Sequence, residues 1–400
     1  MAQIGKEAQH IAACDRARAI EAVGVDAAAI DQIDQGMRAV YAVGDGPGLL
    51  VQPLTIDDPA GLRHVGALRH PTQNPSHARQ AGGVVAWHPA GEDPMTATAS
   101  PARLLRVGTR DLELGSSQLG TLRDATPHLG DPAALRARLA DEGYLLLRGL
   151  QDRDLVLEAR RQMVQDLREQ GVSEPSGDPL EARPAPASQL RVDGSRLTRC
   201  PAFRQVVESD RIRRFMEGMY GGEALTFSFK WMRVVGPGDF TGAHYDVVYM
   251  GRGSMGVLTV WTPFGDLGYE HGTLAVVPGS HHLSGYQRVR DTYGRMDVDR
   301  DRVSGWFADD PLDVTGRYGG GWATTEFRAG DVLIFGMYMM HMSLANTSGE
   351  FRLTADTRWQ KAGDPVDERW IGKLPKGHYA WHSEPEKMVA MADKRREWGV

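Results

Sequence analysis

Short apolar runs separated by turn residues fill much of the chain between residues 224 and 359. The runs are rich in β-branched and aromatic residues, which favour strands, and glycine, proline and asparagine between them favour turns. The runs are ALTFSFKWMRVV, AHYDVVYM, MGVLTVWTPF, GTLAVVPGS, DVLIFGMYMM and FRLTADTRW. So many short strands without helices between them predict an antiparallel sandwich or barrel, of which a jelly roll is the simplest closure.

Helical patterns precede these strands. The stretch DPAALRARLADEG predicts a capped helix that ends at Gly143, YLLLRGL predicts a buried strand, and DRDLVLEARRQMVQDLREQG predicts a second helix. A further helix is expected near residues 201–219. The predicted fold class is therefore mainly β with flanking helices (α+β), with a jelly-roll, cupin-like core in a domain at residues 121–400.

Residues 1–120 are predicted to form an N-terminal extension of unknown role. Residues 26–42 show helical spacing after an aspartate, whereas residues 43–100 are rich in glycine, proline and histidine and predict irregular structure. The histidines of this segment match no known pattern of metal ligands. They are His64, His70, His77 and His88.

Composition excludes several classes of function. The formal net charge is −6 and the pI is near 6.1, without a long basic cluster, so nucleic acid is not an expected partner. No apolar stretch is long enough to cross a bilayer, and the N-terminus lacks an export signal, so we expect a cytoplasmic protein. The only cysteines, Cys14 and Cys200, are far apart, so any metal must use histidine and carboxylate. The oligomeric state stays open.

The stretch AHYDVVYM places His244 and Asp246 two residues apart. On a strand both side chains would share a face, about 7 Å apart along the chain, so one cation could contact both. The alternative is a polar pair that faces solvent. His341 lies in a later strand, and two histidines with one carboxylate and open coordination positions suit a non-haem Fe(II) oxygenase.

The residues after His341 predict a binding site for a carboxylate. If NTSG (346–349) is a four-residue loop between antiparallel strands, Ser343 shares the face of His341 and lies opposite Arg352. A hydroxyl group opposite a guanidinium suits a carboxylate, although a structural salt bridge is the alternative for Arg352. Arg358 shares the same strand face, but Asp356 could neutralise it, so Arg352 is preferred.

With these motifs, residues 125–365 resemble the phytanoyl-CoA hydroxylase-like (PhyH) family of Fe(II)/2-oxoglutarate-dependent dioxygenases. The resemblance rests on AHYD, on VWTPFGDLGYEHGTLAVVPGSHH, on HMSLANTS and on the arginine eleven residues beyond His341. It implies a double-stranded β-helix that uses Fe(II), with 2-oxoglutarate and O2 as cosubstrates. The residues that it implies as metal ligands are His244, Asp246 and His341. Those that it implies for the cosubstrate are Arg352 and Ser343, which would bind the distal carboxylate, and Trp261, which would line the pocket.

Lys230, on the first core strand, could also approach the cosubstrate, although a solvated lysine is the alternative. The expected reaction is hydroxylation of an aliphatic C–H bond of a small molecule, with release of succinate and CO2. Asp246 favours hydroxylation, because related halogenases replace this carboxylate with a small residue. Desaturation and cyclisation stay open, as does the identity of the substrate.

Residues 284–325 are predicted to be an insertion that could act as a lid hinged at YGGGW, or a surface excursion without a catalytic role. The insertion contains six arginines but seven aspartates, a balance that argues against a clamp for the phosphates of coenzyme A. Two other classes of function stay open. One is a non-catalytic metal- and ligand-binding jelly-roll protein, and the other is a metal hydrolase, for which no general base is apparent.

Overall fold

The computed structural model describes residues 103–186, 192–380 and 385–400. The predicted helix at residues 26–42, the irregular segment at residues 43–100 and the four histidines within it lie outside these residues. Among the described helices, none combines the length and apolar character needed to cross a membrane.

Strands and helices alternate in the first part of the described chain, and strands dominate from residue 224 onward. The strands are β1 (Leu104–Val107), β2 (Arg110–Glu113), β3 (Leu119–Thr121), β4 (Tyr144–Leu147), β5 (Ala224–Thr226), β6 (Trp231–Val235), β7 (Leu258–Pro263), β8 (Leu274–Val276), β9 (Trp322–Thr324), β10 (Val332–Gly336), β11 (His341–Ser343) and β12 (Arg352–Lys361). The helices are α1 (Pro132–Glu142), α2 (Arg153–Glu169), α3 (Gly194–Thr198), α4 (Pro201–Val207), α5 (Asp210–Tyr220), α6 (Val247–Met250), α7 (Gln287–Asp291), α8 (Val298–Asp301), α9 (Leu312–Tyr318) and α10 (Met391–Trp398).

Two sheets form the core. The major sheet has the order β4-β10-β7-β12-β5, with β6 also paired to β12, and the minor sheet has the order β11-β8-β9-β3. Strand pairs in both sheets are antiparallel except β3 with β9. Apolar residues of both sheets pack together, among them Trp261, Leu333, Leu274 and Val276. The fold is therefore a jelly roll with flanking helices, which confirms the predicted fold class.

Strand β12 alternates between two environments, because successive side chains of a strand point to opposite faces. Its apolar residues face the helices: Leu353 and Ala355 pack in one cluster with α2 and α4, and Trp359 packs in another with α1 and α5. Its even-numbered residues from 352 to 360, all polar, face the minor sheet and are buried there. These inward residues are Arg352, Thr354, Asp356, Arg358 and Gln360. The interior of the jelly roll is thus lined by charges along this strand.

The flanking helices begin and end at the expected capping residues. The carboxylate of Asp131 accepts hydrogen bonds from the first turn of α1, and Gly143, at a φ of 81°, ends that helix. The single helix expected near residues 201–219 is instead two helices, α4 and α5. Ser209 lies between them, and its hydroxyl caps α5 by accepting a hydrogen bond from the amide of Ile212.

The stretch AHYDVVYM is not a strand, and this prediction was wrong. Only its first residues pair as a strand, at Ala243 and His244, and Val247–Met250 form the helical turn α6. Asp246 has helical backbone angles, and its carbonyl accepts from the amide of Tyr249. The amide of Val247 donates to the carbonyl of Met337, so a tertiary contact overrides the strand preference of the two valines.

Residues before the predicted domain boundary and residues within the predicted insertion also join the core. Val107 and Leu119, which precede the expected boundary at residue 120, are fully buried, and β3 pairs with β9. Within residues 284–325, Tyr286 and Phe307 are buried in the same apolar cluster as Tyr245, and residues 322–324 form β9. The division into an extension at residues 1–120 and a domain at residues 121–400, and the action of the insertion as a lid, stay predictions.

Candidate metal centre and cosubstrate site

His244 and His341 lie opposite each other at the edge of the minor sheet. The amide of each histidine donates to the carbonyl of the other, at 2.9 and 3.1 Å, and their ring centroids are 4.0 Å apart. Asp246 follows two residues later, where the chain turns into α6. A ligand atom from each of the three residues lies within 4.8 Å of the other two, and all three residues are buried. The structure thus brings together the three predicted metal ligands.

Each imidazole is held in the tautomer that a metal needs. The Nδ1 atoms of His244 and His341 lie 2.8 and 2.9 Å from the carbonyl oxygens of Gly242 and Met339. A carbonyl only accepts, so Nδ1 carries the proton and Nε2 is left as a free electron-pair donor. The two Nε2 atoms lie 4.0 and 3.9 Å from the same oxygen, Oδ1 of Asp246.

The protonation states also suit a metal ion. Burial lowers the pKa of His341, and burial together with the neighbouring His341 lowers the pKa of His244, so both rings are neutral near pH 7. Burial alone would raise the pKa of Asp246, but Arg358 and the two histidines outweigh it, and this pKa lies below its usual value. Two neutral imidazoles and an ionised carboxylate are a suitable ligand set for a divalent metal.

Arg352 is a buried cation without a carboxylate partner among the described residues. Its Nη1 donates to the carbonyl of Gly272, and its Nε has no hydrogen-bond partner there. Burial lowers the pKa of Arg352 to about 10, and Asp356 partly opposes this shift, so the side chain stays charged at neutral pH. A buried charge is costly unless an opposite charge compensates it, so the site fits an anionic ligand better than the structural salt bridge.

Ser343 and Arg352 do not face each other across a hairpin, so the predicted pairing was wrong. Ser343 pairs with Leu274 in the minor sheet, whereas Arg352 pairs with Val235 in the major sheet. The intervening residues cross between the sheets, and the side-chain amide of Asn346 donates to the carbonyl of Val235 at 2.9 Å. Both Ser343 and Arg352 are nevertheless buried on the inward faces of their sheets.

Trp261 faces the interior from β7. It pairs with Asp356 and Leu333, and its ring packs edge-on against Phe327 with a centroid distance of 4.8 Å. Its role in cosubstrate binding stays a prediction.

Lys230 is not brought to the metal cluster. Its ammonium group contacts Glu208 at 3.1 Å and the hydroxyl of Thr226 at 2.9 Å, and burial lowers its pKa to about 8. This lysine is therefore neither solvated nor directed toward the inward face of β12.

The sequence did not assign Arg358 and Thr259, which both contact Asp246. Nη2 of Arg358 donates to Oδ1 at 3.1 Å, and the hydroxyl of Thr259 donates to Oδ2 at 2.5 Å. Asp356, which was expected to neutralise Arg358, lies 3.8 Å from it and closer to Arg233, at 3.2 Å. The shared strand face of Arg352 and Arg358 was the signal that could have included Arg358.

Beyond β12, the C-terminal segment also supports the cluster. Arg369 donates to the carbonyl of Tyr249 at 2.8 Å, and the ring of Tyr249 packs edge-on against His244. Asp299, in the insertion, accepts from His378 at 2.9 Å and also binds Arg369. These contacts connect the insertion and the C-terminal segment to α6, which directly follows Asp246.

Replacing Gly272 with alanine tests how tightly packed the turn is whose carbonyl accepts the hydrogen bond from Arg352. Gly272 has a φ of +76°, and an added Cβ would lie 2.6 Å from the carbonyl oxygen of Leu344 and 2.9 Å from the amide of Asn346. Gly363 has a similar φ of +88° but open space around it, so Gly363→Ala is the matched control. Both variants should lose about 1–2 kcal/mol through the left-handed backbone. Gly272→Ala should lose about 1–3 kcal/mol more through overpacking. Equal urea-unfolding midpoints for the two variants would contradict this.

Residues 139–354 match the model of the phytanoyl-CoA dioxygenase (PhyH) family. This chain belongs to that family. A relative, 1-deoxypentalenic acid 11-beta-hydroxylase of Streptomyces exfoliatus, is 27% identical over 261 residues, which cover 60% of this chain and 84% of the relative.

Two solved structures are also similar to this chain, at lower sequence identity. The epimerase SnoN in complex with Fe3+, alpha ketoglutarate and nogalamycin RO is 21% identical, with a TM-score of 0.41 over 60% of this chain and 88% of that chain. Apo EctD from S. alaskensis is 16% identical, with a TM-score of 0.41 over 72% and 95% of the respective chains.

The PhyH family predicted from the motifs is confirmed, and so is the prediction that the chain is a dioxygenase. The cluster of two histidines and an aspartate fits an iron site of this family, so the predicted cofactor and cosubstrates are confirmed as well. Which residues bind each of them stays a prediction.

Proposed function

We propose that this PhyH-family protein hydroxylates an aliphatic C–H bond of a small molecule in a reaction that depends on Fe(II) and 2-oxoglutarate. The observation that carries the proposal is one buried interior that holds both a metal-ligand cluster and an uncompensated arginine. The cluster is His244, Asp246 and His341, and the arginine is Arg352. The hydroxylase named among the relatives supports the same class of reaction.

His244, Asp246 and His341 would hold the iron through Nε2, Oδ1 and Nε2. When bound, the iron supplies the oxidising chemistry by which O2, 2-oxoglutarate and a C–H bond become succinate, CO2 and a C–OH group. One oxygen atom of O2 enters succinate and the other enters the hydroxyl group, so atoms and electrons balance. Thr259 and Arg358 keep the Asp246 carboxylate oriented, and the carbonyls of Gly242 and Met339 keep both imidazoles oriented.

Arg352 would bind the distal carboxylate of 2-oxoglutarate, because a carboxylate supplies the negative charge that this buried guanidinium lacks. The hydroxyl of Ser343 accepts a hydrogen bond from the amide of Thr241 at 2.8 Å, which leaves its own proton available for the same carboxylate. Trp261 would form an apolar wall of the pocket. The buried interior would keep water away from the reacting groups.

An anaerobic titration tests the proposal. Metal-free protein receives Fe(II) and then 2-oxoglutarate, and the visible charge-transfer band of the chelated keto acid is recorded, followed by succinate release in air. We expect the band in the native protein and its loss in His244→Ala. The control is His281→Ala, because Nε2 of His281 binds the carbonyl of Ala140, outside the cluster. Absence of the band in folded protein would contradict the assignment. If the band forms but no succinate is released in air when a panel of small molecules is offered as substrates, the non-catalytic binding protein would be favoured.

A further inference from the structure

The two oxygens of the Asp246 carboxylate have different surroundings. Oδ1 lies 4.0 and 3.9 Å from Nε2 of His244 and His341, and it accepts a hydrogen bond from Arg358 at 3.1 Å. Oδ2 instead accepts a hydrogen bond of 2.5 Å from the hydroxyl of Thr259. A hydroxyl that donates to a carboxylate at such a short distance forms one of the stronger hydrogen bonds in proteins. The carboxylate is thus held with one oxygen toward the imidazoles and the other toward β7.

Thr259 is fixed by its place in the major sheet. On β7 it pairs with Phe335 of β10 and with Arg358 of β12, so the three side chains form one row across the inward face. Phe335 packs against the ring of His341 at a centroid distance of 4.6 Å. Thr259 is 1% exposed, and a β-branched side chain has few rotamers available in a strand. The hydroxyl is therefore held at Oδ2, out of reach of bulk water.

This hydrogen bond bears on how many oxygens of Asp246 can bind a metal ion, since a carboxylate binds through one oxygen or through both. For both to reach one ion, the carboxylate must turn until Oδ2 is as close to the imidazoles as Oδ1, and that turn would break the bond to Thr259. An octahedral ion held by two imidazoles and one oxygen keeps three positions open, whereas a second oxygen would leave two. A chelating keto acid takes two positions, so only the first arrangement leaves a position for O2.

We propose that Thr259 is a positioning residue that restricts Asp246 to one metal-binding oxygen and so keeps a coordination position open for O2. The inference rests on the proposed function and deepens it by assigning a role to a residue outside the ligand cluster. The alternative is that Thr259 only orients Asp246.

The two roles of Thr259 predict opposite effects on metal binding. Loss of a group that only orients a ligand weakens metal binding, typically by about 10–100-fold. Loss of a group that restricts the ligand frees Oδ2 for the metal. Because Oδ2 is then a buried acceptor without its hydrogen bond, contact with the metal is favourable and the affinity should not fall.

The experiment compares the native full chain with Thr259→Val, which keeps the shape of the side chain but lacks the hydroxyl. Anaerobic calorimetry measures the affinity for Fe(II). Electron paramagnetic resonance then measures binding of nitric oxide to protein loaded with Fe(II) and 2-oxoglutarate, because this uncharged diatomic molecule occupies the position that O2 would take. We expect an Fe(II) affinity between the native value and one about a hundredfold tighter, and a nitric oxide affinity at least about tenfold weaker. Thr259→Ser keeps the hydroxyl and should retain both native affinities within about threefold.

Thr262→Val is the matched control, because it is the same substitution on the same strand. Thr262 is also buried, but it lies on the opposite face of β7, and its hydroxyl has no hydrogen-bond partner among the described residues. Both affinities should stay within about threefold of native. Thr259→Cys serves if Thr259→Val does not fold, because a thiol is a weak donor that still partners Oδ2. It should change both affinities in the same directions by smaller factors.

Weaker Fe(II) binding in the folded Thr259 variants that lack the hydroxyl, or an unchanged affinity for nitric oxide, would overturn the proposal. So would a Thr259→Ser variant that behaves like Thr259→Val, because the methyl group rather than the hydroxyl would then matter. Each of these outcomes leaves the proposed function intact. Native protein that binds no Fe(II) would contradict the proposed function, and the role of Thr259 would fall with it.

Discussion

Arg352→Met is expected to abolish succinate formation and at the same time to raise the urea midpoint of unfolding. The variant removes a buried cation whose desolvation costs several kcal/mol, and it loses the hydrogen bond to Gly272, worth about 1.5–3 kcal/mol. The difference favours the variant by about 1–3 kcal/mol. Affinity for 2-oxoglutarate should fall at least about a hundredfold, because truncating one side of a buried charge pair costs about 3 kcal/mol.

Arg160→Met is the contrasting variant for that measurement. Arg160 is also buried, but it is paired with Glu350 at 3.2 Å and donates to the carbonyl of Phe264 at 2.7 Å. Its replacement should therefore destabilise the protein by about 1–3 kcal/mol, since the partners are left unsatisfied. A lower midpoint in both variants would show that Arg352 is a structural residue, and retained affinity for 2-oxoglutarate in Arg352→Met would exclude it from the cosubstrate site.

Asp246→Ala is expected to eliminate Fe(II) binding and to destabilise the protein by about 3–5 kcal/mol, because Arg358 is left as an uncompensated buried charge. The double variant Asp246→Ala/Arg358→Met should recover most of that stability without recovering the metal. Urea unfolding and calorimetric Fe(II) titration measure the two effects separately. His244→Ala serves as the control, since it removes a metal ligand that is neutral and leaves Asp246 and Arg358 paired.

The double variant decides how the ion pair is interpreted. If Asp246→Ala and the double variant unfold at the same urea concentration, Arg358 does not depend on Asp246 for compensation. The buried pair at 3.1 Å would then contribute little to folding.

The metal cluster could be predicted from the sequence, although the geometry expected around it was wrong. The types and order of His244, Asp246 and His341 suffice to suggest an iron site. The expected strand was incorrect, because a contact between Val247 and Met337 turns the chain into α6. The carboxylate and the imidazoles converge through a turn and a strand pairing, which no local pattern around Asp246 reveals.

One further error and one incomplete expectation arose where long-range contacts outweighed a local rule. The NTSG stretch resembles a hairpin loop, but β8 takes Ser343 as its partner and β6 takes Arg352. Asp356 was expected to neutralise Arg358 because both lie on one strand face, and the two side chains do form an ion pair at 3.8 Å. In the structure Asp356 lies closer to Arg233, on the neighbouring β6, and Arg358 binds Asp246. Sequence spacing shows which residues share a face but not which of several carboxylates each arginine binds.

The alternation of β12 also bears on how the newly made chain avoids aggregation. Strand β12 spans Arg352–Lys361 in the middle of the major sheet, and its partners β6 and β7 lie far earlier in the chain, before the whole insertion. A strand whose partners are distant in sequence pairs slowly during folding. Until it pairs, its backbone can associate with other chains, especially when the strand is long and apolar. Charges at Arg352, Asp356 and Arg358 interrupt the apolar pattern of this strand, and such charges act as gatekeepers against intermolecular pairing. Arg352, which is proposed to bind the distal carboxylate in the finished enzyme, thus also helps to protect the longest described strand before the jelly roll has closed.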